Sequence, residues 1–322
     1  MHIPDGFIDV KTAAVAGAIS FAGVGLALRQ VQRELPPRKV PLLGLSAAFL
    51  FAAQMVNFPV AGGTSGHLVG GALVAALLGP GAAVVVVTTV LIVQCFLFQD
   101  GGVLALGANI FNMAIVNSVA GYLIFRMVGC VLPGLRGRVT AMAFAGWCAT
   151  VLAAICCAGE LAWSGTIAWS AAFPAMTVVH MLIGIGEGLI SALVLLAVER
   201  ARPDLVSPAA ISVAPKHAGE LFAYGLLAVL GITIFVAPFA CSWPDGLDSV
   251  AEKFGFTHKT LQPLLPAPAP DYQMPGIHSA IGATAAAGAI GTLIVFAGAL
   301  LLGRWLAPKS RNHERSLAQP RA

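Results

Sequence analysis

Met1 and His2 carry the most distinctive chemistry in the chain. A free Met1 amine, the His2 backbone amide nitrogen and one nitrogen of its imidazole can wrap a divalent ion in a five-membered and a six-membered chelate ring. One more nitrogen would close a square plane, the geometry of Ni(II) or Cu(II), whereas zinc favours a tetrahedron and magnesium or calcium favour oxygen. A bulky second residue also shields Met1 from aminopeptidase removal, which the chelate requires. A candidate for the fourth nitrogen is His67, which follows the run AGGTSG. Gly62, Gly63 and Gly66 let the backbone turn sharply and approach a neighbour closely there. Asn57, Thr64 and Ser65 are expected to supply hydrogen bonds that fix the imidazole tautomer, and Gln99 and Asp100 to form a turn over the pocket.

The elements that must position these groups are membrane helices. The chain is 58% hydrophobic and 10% charged, with mean hydropathy +0.88. Soluble domains hold about 45–50% apolar and about 25% charged residues. Apolar stretches of roughly 20 residues, enough to cross a bilayer, run over about 10–30, 40–57, 81–98, 107–128, 139–158, 172–198, 220–240 and 279–303. A shorter stretch, about 67–79, reads as a ninth, sheltered helix. The class is therefore an all-α polytopic membrane protein of about nine helices.

With nine helices and the N-terminus outside, every lysine and arginine of the 18 except Lys11, Lys253 and Lys259 lies on the inner side. Positive charge is retained in the cytoplasm, so the N-terminus is expected outside and the C-terminus inside an inner membrane. No secretory leader is expected, because MHIPDGFIDV has two acids and no basic n-region. The net charge of +4 is thus a topology signal and no sign of nucleic-acid binding.

Organisation changes near residue 200. Residues 1–200 read as one membrane domain, 201–219 as a cytoplasmic linker, 220–305 as a two-helix domain with an outer loop at 241–278, and 306–322 as a basic cytoplasmic tail. The six cysteines form no C-x-x-C pair and sit mostly in apolar spans, as small buried hydrophobes do. His180 and Glu187, seven residues apart, share a helical face and suit a contact between helices. Asn109, Asn112 and Asn117 are expected to bond across helices. An intramembrane zinc enzyme would need an H-E-x-x-H set or its equivalent, and no G-x-x-x-x-G-K-[ST] phosphate loop occurs. An enzyme with its own ATPase is therefore not expected.

MHIPDGF at 1–7, PVAGGTSGHLVGG at 59–71, FQDGGVLALGANIFNMA at 98–114 and HMLIGIGEGLI at 180–190 resemble the substrate-binding component of nickel/cobalt energy-coupling-factor transporters, the NikM/CbiM family. SWPDGLDSVAEKFGF at 242–256 resembles the PDGLE domain of the companion subunit NikN, with Asp248 in place of the motif's Glu. The resemblance implies a seven-helix metal-binding bundle plus two further helices, with Ni2+ or Co2+ as transported substrate. It implies Met1, His2 and His67 as ligands. It also implies a transmembrane coupling subunit and cytoplasmic ATPase subunits as partners.

Overall fold

The computed structural model describes residues 1–202 and 218–307. The expected linker 201–219 and tail 306–322 lie almost entirely outside the described residues. Ten helices are found among the described residues: α1 Val10–Glu34, α2 Val40–Met55, α3 Gly71–Leu78, α4 Pro80–Phe98, α5 Leu106–Val131, α6 Gly134–Trp163, α7 Trp169–Ala201, α8 Ala218–Phe235, α9 Gly246–Phe254 and α10 Ala280–Leu306. Seven of them, all but α2, α3 and α9, contain stretches long and apolar enough to cross a membrane. The chain is a polytopic helical membrane protein.

Three departures from the sequence reading have physical causes. The second expected span stops at Met55, because Pro59 disfavours helix at the residue before it and the chain turns into a hairpin. That hairpin pairs Phe58–Val60 with Thr64–Gly66, Phe58 facing Gly66 across the ladder. Helices α4 and α5 each contain a π segment, Gln94–Phe98 and Ile110–Val116, which the apolar periodicity does not reveal. Such bulges re-aim side chains and gather at functional sites. Finally, the stretch 241–278, expected as an outer loop, contains α9, where Leu247, Val250 and Ala251 form a buried stripe at helical spacing. Asp245 caps it by accepting from Leu247 N and Asp248 N at 2.7 and 2.9 Å.

Helices α6 and α7 form the longest hairpin, and α10 packs on α2, α4 and α8. The short α3 is enclosed by α4, α5 and α6, as a sheltered helix should be. Before α1, the first nine residues run across one end of the bundle. Ile3 is held on both sides by Asn109, whose Oδ1 accepts from Ile3 N at 2.7 Å and whose Nδ2 donates to Ile3 O at 3.1 Å. Asp5 accepts from Val103 N, Leu104 N and Ala105 N at 3.1, 2.8 and 3.2 Å, capping the start of α5 from a distant part of the chain. Ile3 and Phe7 are buried, each contributing about 1.5–3 kcal/mol if fully removed from water.

Gly6 joins this segment to the outer stretch. Its φ is +97°, and a Cβ there would lie 2.1 Å from the Lys259 carbonyl oxygen. Gly6→Ala should therefore loosen the docking of residues 1–9 at a cost of about 1–3 kcal/mol. The check is apparent melting temperature in detergent together with protease sensitivity of residues 255–278. A variant matching wild type in both would contradict this tethering role.

Candidate metal centre

Met1 and His67 line one buried cavity, and His2 adjoins it through its ring. Met1 is tucked under α9, and His67 is only 7% exposed. The His2 and His67 rings stack with centroids 5.3 Å apart and planes inclined by 24°. Among the described residues no three His, Cys, Asp or Glu side chains converge on a metal position. A four-donor set is reached here only if main-chain nitrogens take part, as the Met1 and His2 chelate requires.

The ring partners select the nitrogens. His67 Nδ1 donates to the Leu68 carbonyl at 3.3 Å, which leaves Nε2 with the lone pair. His2 Nε2 lies 3.2 Å from Gln94 Oε1, and its Nδ1, the atom that closes the six-membered ring, faces Asp100 Oδ1 at 3.1 Å. Any cation on Nδ1, proton or metal, therefore sits beside a carboxylate. Asp100 is in turn held by Tyr272, whose hydroxyl donates to Oδ2 at 2.6 Å while its ring stacks on Phe98 at 4.7 Å. Asp271 and Tyr272 both occupy the left-handed region, at φ 53° and 57°, a conformation that costs non-glycine residues energy and aims the hydroxyl at the site.

The Met1 ammonium pairs with Asp245. Burial works against both charges, but each outweighs it for the other. The Asp245 carboxylate raises the amine above its ordinary 8.0, and the ammonium holds the carboxyl well below 3.8. Burial, reinforced by the ammonium, holds His67 well below 6.5 and so neutral. Burial likewise lowers His2. The raised amine stabilises the fold below pH 8.0 and loses that contribution as pH climbs through its folded value. The depressed Asp245 contributes above pH 3.8 and loses its part as pH falls. Docking of α9 onto the N-terminus is thus strongest between those limits.

Several side chains singled out by sequence do other work. Thr64 donates to Ser249 Oγ at 2.6 Å and Ser65 to the Trp243 carbonyl at 2.7 Å, so both bind the outer stretch and neither touches an imidazole. Asn57 accepts from Cys241 N at its backbone oxygen. Gln99 supplies the left-handed turn after α4 and is exposed. Gln94, one helical turn before, is the glutamine that reaches His2. Asn117, accepting from Ala72 N of α3 at 3.1 Å, and Asn112, donating to Glu160 of α6 at 2.6 Å, both bond across helices. Asp245, Gln94 and Tyr272 escaped the sequence reading. The only cue for Asp245 is its position as the helix cap in PDG. His180 lines the same cavity as Met1, His67 and Asp245, its Nδ1 donating to Met176 O at 2.8 Å. Its ring lies against the PDG turn, where a Cβ on Gly246 would come within 2.7 Å of it.

Comparison with known proteins gives consistent matches. Residues 2–205 match the family described as CbiM, cobalt uptake substrate-specific transmembrane region, and residues 219–308 match the PDGLE domain. A putative fused nickel transport protein NikMN of Archaeoglobus fulgidus is 36% identical over 95% of this chain and 99% of its own. The fused nickel transport protein NikMN of Rhodobacter capsulatus is 33% identical over 71% of each. A solved structure of a truncated transition metal transporter, 34% identical, superposes with TM-score 0.57 over 62% of this chain and 99% of its own.

If metal and protons compete for these nitrogens, the competing proton is the one on the Met1 amine, because both imidazoles are already neutral near pH 7. Ni(II) affinity should then rise by about tenfold to a hundredfold per pH unit between pH 6 and 8, with one or two protons released. Asp245→Asn, which removes the charge that retains the proton, should flatten the upper part of that curve, where the amine is then already neutral. Calorimetry across this range decides; affinity independent of pH would contradict the competition.

Proposed function

Because the chain belongs to the CbiM family of cobalt uptake substrate-specific transmembrane regions and carries a PDGLE domain behind it, we propose that it is the metal-capturing subunit of an ATP-driven energy-coupling-factor importer. The observation that carries this reading is that Met1 and His67 line one buried cavity while the His2 ring stacks on His67. The metal is cargo, held by the Met1 amine, the His2 amide and Nδ1, and His67 Nε2.

Charge conservation supports a divalent ion in that set. Coordination removes one proton from the ammonium and one from the His2 amide while a 2+ ion arrives, so a net charge of +1 stays beside Asp245 and Asp100. The counter-charges therefore need no rearrangement to accept the exchange. A plane of four nitrogens with a deprotonated amide favours Ni(II), and the Irving–Williams order puts Ni(II) above Co(II). Cobalt transport is the second reading, favoured by the family description.

Transport needs energy that this chain does not carry, since it has no phosphate loop. A transmembrane coupling subunit and cytoplasmic ATPases are its partners in this proposal, in an inner membrane with the N-terminus outside and the C-terminus inside. The division into residues 1–200, a linker and a two-helix domain at 220–305 belongs to the same proposal. The outer stretch supplies Asp245 and Tyr272 to the site without supplying a ligand, and it acts on capture or release.

The test has two arms. One alanine inserted between Met1 and His2 breaks the two-ring chelate and should lower Ni(II) affinity at least about a hundredfold, as should His67→Ala, while His258→Ala leaves it unchanged. Unchanged calorimetric affinity in the insertion variant would sink the ligand set. In vesicles, uptake should require both ATP and the partner subunits; equal uptake by this chain alone would point to a channel or secondary transporter.

A further inference from the structure

Glu187 is a fully buried carboxylate in α7 that has no ion-pair partner among the described residues. Its oxygens accept instead from two successive backbone amides, Val69 N at 2.6 Å and Gly70 N at 2.9 Å. These amides lie two and three residues beyond His67, just before α3, whose cap residue Gly70 has no side chain to offer. One turn back along α7, Ile183 fills the space beside Gly66, where a Cβ would come within 2.6 Å of it. The same helix face therefore holds the chain on both sides of His67.

The hydrogen bonds run in series through one peptide group. The N–H of Val69 donates to Glu187, and the C=O of Leu68, the other end of that planar unit, accepts from His67 Nδ1 at 3.3 Å. A carboxylate on the N–H polarises the amide and makes its carbonyl a better acceptor. The carbonyl then keeps the ring proton on Nδ1 and leaves Nε2 with the lone pair. Metal-binding histidines are usually oriented by a carboxylate or carbonyl on the far nitrogen; here the two act in sequence.

We propose that Glu187 is a positioning residue for metal capture: through the Leu68–Val69 peptide it fixes which nitrogen of His67 is free to bind a metal ion. This deepens the proposed function and rests on His67 being a ligand.

The experiment uses the full chain purified in detergent and Ni(II) as probe, with Glu187→Gln, His67→Ala and the double variant. Glu187→Gln should weaken Ni(II) binding about 10–100-fold and shift the visible absorption of the complex toward that of His67→Ala. The double variant should bind no more weakly than His67→Ala alone, because both changes remove the same nitrogen. Wild-type affinity in Glu187→Gln, or losses that multiply in the double variant, would overturn the proposal while leaving the ligand reading intact. Wild-type affinity in His67→Ala would overturn the ligand reading, and this proposal with it. A further measurement needs no folded variant: nitrogen NMR of the wild-type His67 ring before nickel is added should find the proton on Nδ1, and a proton on Nε2 would overturn the assignment.

Discussion

A charged amine cannot be buried alone. Taking an ammonium out of water costs several kcal/mol even after the protein relaxes, unless an opposite charge with its own hydrogen bonds accompanies it. Met1 is almost wholly enclosed, and Asp245 is what makes that tolerable. The carboxylate is itself satisfied, since its other oxygen caps α9. The packing around the N-terminus serves this contact: Asn109 holds Ile3, Asp5 anchors to the start of α5, and Gly6 lets the outer stretch cross over. Each bond is ordinary in strength, but together they bring the first residue of the chain under the cap of a helix near residue 250.

The centre is thus built jointly by the part of the chain that matches CbiM and the part that matches PDGLE. The first part offers nitrogens: a terminal amine, an amide and two imidazoles. The second offers oxygens that sit beside them, from Asp245 directly and from Tyr272 by way of Asp100. The hairpin that carries His67 is stitched to the same stretch by Thr64 and Ser65. Motion of the stretch 241–278 would therefore be felt at the hairpin and at the N-terminus at once, although it supplies none of the proposed ligands.

What could be read from the sequence follows from the range of each interaction. The proposed chelate of Met1 and His2 is local, so residue types and adjacency suffice to suggest it; membrane helices follow from apolar length, and α3 from its shortness. His67 could be paired with Met1 because topology places both on one side. Contacts over long separations left no such trace. Gln99 reads in sequence as part of a turn over the pocket, but its left-handed conformation at the helix end leaves it exposed, and Gln94 of the π segment reaches His2 instead. Thr64 and Ser65 looked like tuners of the imidazole because they are close in sequence, yet their hydroxyls found carbonyl and hydroxyl acceptors on a stretch 178 to 185 residues away.

The pairing of Met1 with Asp245 spans 244 residues. Its consequence is temporal. Met1 waits for a segment 244 residues further along before it has this partner, and at about 5–20 residues per second that is roughly 10–50 s of synthesis. During that interval the amine is a solvated chain end, open to peptidases and to stray metal ions. The cavity at Met1 and His67 is consequently completed only after the segment that carries Asp245 has been made.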